Sequence, residues 1–194
     1  MRRSTAAYLA LAAADTVLAA AGRDKERRVT KPLLMPVLQL GKDKGTKRAL
    51  GLGAAGDVAL MAESDVAFTA GLGSFLAGHV AWMTALRERS GGGFLRRRPY
   101  AAAPYLAAFA GLNAYLWPRT GKDRVPVLLY SAALLGTALV ALDTGKARTA
   151  AGGALFLVSD SLLALERFGD VHLPAHEGLV MATYTGAQGL LATQ

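Results

Sequence analysis

The chain has 194 residues, 53% of them hydrophobic and 19% charged, with a formal net charge of +8. A soluble domain of this size would need more polar surface, and the absence of cysteine excludes disulfides, thiolate catalysis and cysteine metal sites. The basic residues sit in bursts (GRDKERR, GKDKGTKR, RERSGGGFLRRR, PRTGKDR) at the ends of apolar stretches, where lipid phosphates and the positive-inside bias account for them and nucleic acid does not, since no aromatic-studded basic face accompanies them.

The apolar stretches predict one all-α domain over residues 1–194, a polytopic transmembrane bundle of about eight helices. Most of the stretches are shorter than the roughly 20 residues that cross a bilayer core, so some helices must tilt or thin the membrane. Helix 1 is expected at 5–21. Its arginines, apolar run and small residues imitate a secretory leader, but Asp15 interrupts the run, which favours a first membrane helix. Helix 2, at 29–41, carries Pro32 and Pro36, and Pro36 should bend it, because proline lacks the amide hydrogen that an interior turn needs. Helices 3 and 4 are expected at 49–62 and 66–84, with Gly71, Ser74 and Gly78 forming a close-packing face on the latter. A loop around 90–98 holds a Gly run and three arginines. With no strand before it and no Lys-Ser pair it is a poor phosphate loop. Helices 5 to 8 are expected at 99–117, 125–142, 148–165 and 174–192, with short connections that should make successive helices antiparallel neighbours.

Lys and Arg counts set an orientation. With the N-terminus inside, thirteen fall on the inner side and eight on the outer, Lys31 lying within helix 2, so both termini should be cytoplasmic. The AESDV turn between helices 3 and 4 has two acids and no base.

Ionisable groups within apolar spans are costly and point to function. They are Asp15, Lys31, Asp57, His79 and Asp160, accompanied by Asn113, Tyr130, Ser159, Ser161, Tyr184 and Gln188. Asp57 lies nine residues past Arg48 and Asp160 twelve past Arg148 on helices running the same way. At about 1.5 Å per residue their depths are roughly 14 and 18 Å. Two desolvated carboxylates at one level suit an acid and a base working together; the bland reading pairs each with Lys31 or a serine. Tyr184 and Gln188 share a face at a similar depth, Lys31 lies at the outer mouth of that level, and the polar set opens outward. His79 lies deeper, near Trp82, where a hydrogen-bonded core histidine is the bland reading. His172 and His176 have metal-like spacing, but Pro174 separates them in a loop, and no metal or cofactor is expected.

The stretches KPLLMP (31–36), GDVALM (56–61), GLGSFLAGHV (71–80), VPVLLY (125–130), GALFLVSDSLLAL (153–165) and VMATYTGAQGL (180–190) together resemble the YhhN family of membrane proteins, whose characterised members are lysoplasmalogenases. They follow the family's order from helix 2 onward. The resemblance implies an integral protein of a bacterial cell membrane that hydrolyses the vinyl ether bond of lysoplasmalogens to a fatty aldehyde and glycerophosphoethanolamine or glycerophosphocholine. The partners it implies are a lysophospholipid substrate and membrane lipids. The family's polar motif residues map onto Lys31, Asp57, His79, Asp160, Tyr184 and Gln188. Asp57 and Asp160 would be catalytic, by protonation of the vinyl carbon and activation of water, and the other four substrate-binding. The alternative is a lipid or small-molecule transporter or binding protein using the same buried acids, and turnover distinguishes it. A diaspartyl intramembrane protease is less suited, since no Pro-Ala-Leu element follows Asp160.

Overall fold

The computed structural model describes residues 3–62 and 64–193. Among them are eight helices of 14 residues or more: α1 Arg3–Ala20, α2 Asp24–Gln39, α3 Lys44–Leu60, α4 Asp65–Ser90, α5 Ala103–Leu116, α6 Arg124–Asp143, α7 Ala147–Gly169 and α8 His176–Ala192. A one-turn helix, Phe94–Arg97, and two 3-10 turns, Pro99–Ala102 and Gly121–Asp123, lie in the connections, and the described residues contain no strand. Arg2, counted in the orientation argument, and Glu63 of the AESDV turn lie outside the described residues.

The eight elements are those the apolar pattern predicts, and the ends that differ have local causes. α2 begins at Asp24 and not at 29 because Asp24 and Glu26 occupy its first turn, where carboxylates meet the positive end of the helix. α4 runs on to Ser90, with Arg87 and Arg89 in its last turn, and is closed by Gly91 at φ 65°. Both prolines of α2 sit inside a helix that continues to Gln39. Their missing amide hydrogens leave the carbonyls of Arg28 and Pro32 without helical donors.

α4, α6 with the turn before it, and α7 are long and apolar enough to cross a membrane, and α1 is a shorter apolar helix. The chain is an integral membrane protein. α2, α3 and α8 have 16 or 17 residues and α5 has 14. At 1.5 Å per residue they reach roughly 21–26 Å against a core of about 30 Å, so bilayer thinning must accommodate any that cross.

Seven helices close into a ring: α1 packs on α2, α2 on α3, α3 on α4, α4 on α6, α6 on α7, α7 on α8, and α8 back on α1. α5 packs outside the ring on α6 and α7, so the expectation that successive helices are neighbours fails there. The cause is the preceding connection. Gly91, Gly92 and Gly93 all take positive φ, and the Asp143 carboxylate at the end of α6 accepts from Gly93 N at 3.1 Å and Leu95 N at 2.7 Å. That clamp ties the chain to the foot of α6 and starts α5 on the ring's outer surface.

Small residues let α3 and α4 approach closely. A Cβ at Gly56 would stand 2.6 Å from the Phe75 ring and one at Gly71 2.8 Å from Leu60, while Ser74 Oγ donates to Leu52 O at 2.7 Å. Asp43 caps α3 by accepting from Thr46 N at 2.9 Å, and Arg89 Nη2 lies 3.0 Å from it. Burial opposes ionisation of this carboxyl, but the Thr46 hydrogen bonds and the Arg89 charge outweigh it and hold its pKa below the ordinary value. Leu34, Met35, Leu38, Leu50, Trp82 and Leu86 fill the ring's apolar interior.

Candidate functional site

Two polar clusters stand at one level of the ring. In the first, α3 presents Asp57, which is 4% exposed, with the room that its glycines create. Gly56 seats the Phe75 ring, and Gly53 leaves space for Tyr184 Oη, which lies 3.3 Å from where its Cβ would be. Tyr184 of α8 donates to Asp57 Oδ2 at 2.7 Å, and Lys31 Nζ of α2 lies 3.5 Å from Oδ1. Both carboxylate oxygens are therefore engaged. Phe75 and Phe156 hold the Tyr184 ring edge-on, at centroid distances of 6.1 and 5.6 Å.

In the second cluster, Asp160 of α7 accepts a hydrogen bond on Oδ2 from Tyr130 Oη of α6. His79 of α4 backs this pair, with Nε2 3.2 Å from Tyr130 Oη and 3.7 Å from Asp160 Oδ2. Its Nδ1 is 3.1 Å from Thr137 Oγ1. The Thr137 hydroxyl also lies within donating distance of two backbone carbonyls, Ala133 O at 3.1 Å and His79 O at 3.2 Å. No hydrogen bond reaches Asp160 Oδ1 among the described residues.

Asp57, Asp160, Lys31, Tyr130 and Tyr184 all line one cavity of about 430 Å³. Its remaining wall divides in two. Leu72, Leu112, Leu116 and Val127 make an apolar limb directed toward α5, while Arg27, Arg28, Glu166, Arg167 and Glu177 lie where α2 and α8 begin and α7 ends. The cavity thus has an apolar flank beside α5 and a charged mouth on the side of the α1–α2 and α7–α8 connections.

The residues picked out from the sequence divide into wall and support. Asp57, Asp160, Lys31 and Tyr184 form the wall. His79, 1% exposed, and Gln188, which accepts from Trp82 Nε1 at 3.1 Å, stand behind it, so these two reach a ligand through Tyr130 and Tyr184. Asp15 is absent from the wall; it is fully buried, accepts from Thr30 Oγ1 at 2.5 Å and lies 3.9 Å from Arg27 Nε. His172 is exposed, and His176 Nε2 is 3.0 Å from Leu162 O, so their spacing does not bring the two rings to a common centre. Among the described residues no group of His, Asp and Glu is arranged to hold a metal ion. In the sequence Tyr130 reads as a polar companion, and nothing there sets it beside Asp160. The signal available was one tyrosine at the start of an otherwise apolar helix, at about the level of Asp160.

The YhhN family profile matches residues 26–194. Two curated proteins, each named lysoplasmalogenase, from Mycobacterium bovis and Mycobacterium tuberculosis, are 36% identical to the chain over 110 residues. That alignment covers 53% of this chain and 41% of each relative, so the chain spans less than half the length of the curated relatives it matches. No solved structure matches it.

Proposed function

This chain belongs to the YhhN family, and from that membership we propose that it is a membrane hydrolase that cleaves the vinyl ether bond of lysoplasmalogens, giving a fatty aldehyde and glycerophosphoethanolamine or glycerophosphocholine. The observation that carries this reading is the pair of carboxylates from α3 and α7, each held by a phenol, facing one cavity with an apolar limb and a charged mouth. The volume of about 430 Å³ lies low in the range of small-molecule pockets, which suits a single-chain lipid.

A vinyl ether resists bases and nucleophiles but yields to acid. A proton adds to the carbon β to the oxygen, the double bond supplies the electrons, and an oxocarbenium ion forms at the carbon bonded to oxygen. Water adds there, and the hemiacetal collapses to aldehyde and alcohol. The site must supply a proton, a negative charge beside the cation and a base for the water, which parallels the demands of glycoside hydrolysis. We assign the proton to Asp160, whose Oδ1 is unengaged and whose Oδ2 is oriented by Tyr130. The neutral acid delivers its proton to carbon, and the resulting carboxylate accepts the proton of the attacking water, closing the cycle. Asp57, with both oxygens engaged by Lys31 and Tyr184, serves as the fixed charge that stabilises the oxocarbenium ion.

The test is turnover. Purified protein in nanodiscs should release aldehyde from lysoplasmenyl lipid and leave the saturated ether analogue intact. Absence of aldehyde, with the lipid instead carried across a proteoliposome membrane, would favour the transporter reading, which the two prolines inside α2 beside Lys31 also suit. With both termini cytoplasmic, the charged mouth faces the outer leaflet. A Ser64→Cys variant should then react with an impermeant thiol reagent in intact cells, and labelling only after lysis would invert the orientation.

A further inference from the structure

The mouth of the cavity carries charges of both signs, but they are unequally committed. Arg27 is taken by acids: it pairs with Glu177 and lies 3.4 Å from Asp24 Oδ1 and 3.9 Å from Asp15 Oδ2. Glu166 Oε2 is 3.5 Å from His176 Nε2. Lys31 belongs to Asp57. Two wall cations are left, Arg28 and Arg167, and neither forms a salt bridge among the described residues; Arg167 interacts with Asp65 only through space, and that carboxylate is paired with Lys122. Both are exposed. The Arg167 guanidinium lies over the Phe68 ring, 3.7 Å from its centroid. Phe68 in turn meets Phe168 edge-on. Stacking fixes the guanidinium plane and leaves its N–H edge free for an anion.

We infer that Arg28 and Arg167 form a phosphodiester site at the cavity mouth, and that its distance from Asp160 selects lipids whose phosphate lies one glycerol unit from the reacting carbon. The distance part rests on the hydrolase reading; the anion site does not. Arg167 is seven residues beyond Asp160 on α7, two turns along the same face, so its Cα lies about 10 Å further out. In a 1-alkenyl glycerophospholipid, six bonds separate the vinyl ether carbon from phosphorus. At the extension of a polypeptide, which covers about 3.3–3.6 Å in three bonds, this spacer is roughly 7 Å long. A phosphate held on that spacer comes within reach of a guanidinium at that level through one charge-assisted hydrogen bond. Arg28 is three residues from Lys31 toward the start of α2, on the same face and one turn nearer the mouth, and so approaches the phosphate from the other wall.

The test measures binding before turnover, using a saturated 1-O-alkyl lysophosphocholine and the matching 1-O-alkylglycerol on nanodisc-embedded protein. Arg167→Gln and Arg28→Gln should each weaken binding of the phosphate-bearing lipid by about tenfold or more, the scale of one hydrogen bond to a charged group. Binding of the alkylglycerol should be unchanged. Arg124→Gln, on the same side but outside the cavity wall, should bind both like the wild type. Equal loss for both lipids would mean a packing role and would overturn the site, as would wild-type affinity in both variants. Inorganic phosphate at millimolar concentration should not displace the lipid; displacement would assign the arginines to free phosphate. If the wild type binds as expected but releases no aldehyde from the alkenyl lipid, the hydrolase reading and the distance rule fall while the anion site stands.

Discussion

The two walls of the ring solve the same problem in different ways. On the α2–α3–α8 side a carboxylate is held by a phenol and an ammonium, Tyr184 and Lys31, so that Asp57 has no oxygen to spare. On the α4–α6–α7 side the carboxylate is also held by a phenol, but behind the phenol stands an imidazole in place of an ammonium, and one oxygen of Asp160 stays without a hydrogen bond. A cation beside a buried carboxylate stabilises a permanent charge. A hydrogen-bonded chain from tyrosine to histidine orients the carboxylate with no lysine or arginine against it. The walls therefore differ in what they permit, and a reaction needing one fixed charge and one exchangeable proton can use both.

The sharpest way to break that contrast is to remove each carboxylate. Asp160→Asn and Asp57→Asn should each lower kcat by at least about 10²-fold, the usual scale of general acid–base and electrostatic contributions. The double variant should be little worse than the worse single one, because groups acting as a unit are not additive. Single-turnover aldehyde release measures this, and Asp15→Asn, outside the cavity wall, should cost much less. Near-full activity in either Asn variant would dissolve the pairing.

The phenols probe the asymmetry at the next scale. Tyr130→Phe leaves Asp160 with neither oxygen oriented, whereas Tyr184→Phe leaves Asp57 its lysine. Tyr130→Phe should reduce kcat by about tenfold, the scale of one hydrogen bond, and Tyr184→Phe by less, with KM little changed in both. The reverse order would exchange the roles of the two walls. His79 tests whether the second wall works through a chain. His79→Gln, whose amide can still donate to Tyr130, should retain more kcat than His79→Ala at equal protein yield; identical losses would reduce His79 to packing.

The smallest effect lies far from the mouth, where the account predicts stability changes and no catalytic ones. Asp43→Ala removes the α3 cap and should destabilise the protein by about 1 kcal/mol at neutral pH. Because the folded state holds the Asp43 pKa below its ordinary value, its stabilisation is complete above that ordinary value and fades as pH falls through the depressed one. Thermal melts in detergent at neutral and acidic pH should therefore converge for the two proteins.

Most of the fold was legible, for a physical reason. Apolar runs bounded by charge bursts mark helix ends in a membrane protein, and all eight long helices lie where those runs fall. The apolar pattern does not place α5, whose position depends on three positive-φ glycines and the Asp143 clamp. Depth along a helix can be counted from sequence, so the convergence of Asp57, Asp160, Tyr184 and Lys31 on one cavity could be anticipated. Rotation about the ring could not, because a helix surrounded by apolar neighbours has little amphipathic contrast. That is why His79 and Gln188 were expected to face a ligand and instead stand behind Tyr130 and Tyr184, and why Arg167 looked like one more interfacial charge.

The central claim is that carbon protonation from Asp160 starts the cleavage of a vinyl ether. It is tested most directly by running the reaction of purified protein with lysoplasmenyl lipid in D2O and measuring the mass of the aldehyde, trapped as it forms. One solvent deuterium should appear on the carbon next to the carbonyl, and formation of this product should be lost in Asp160→Asn. Aldehyde without that deuterium, or labelled aldehyde formed at the wild-type rate by Asp160→Asn, would contradict it.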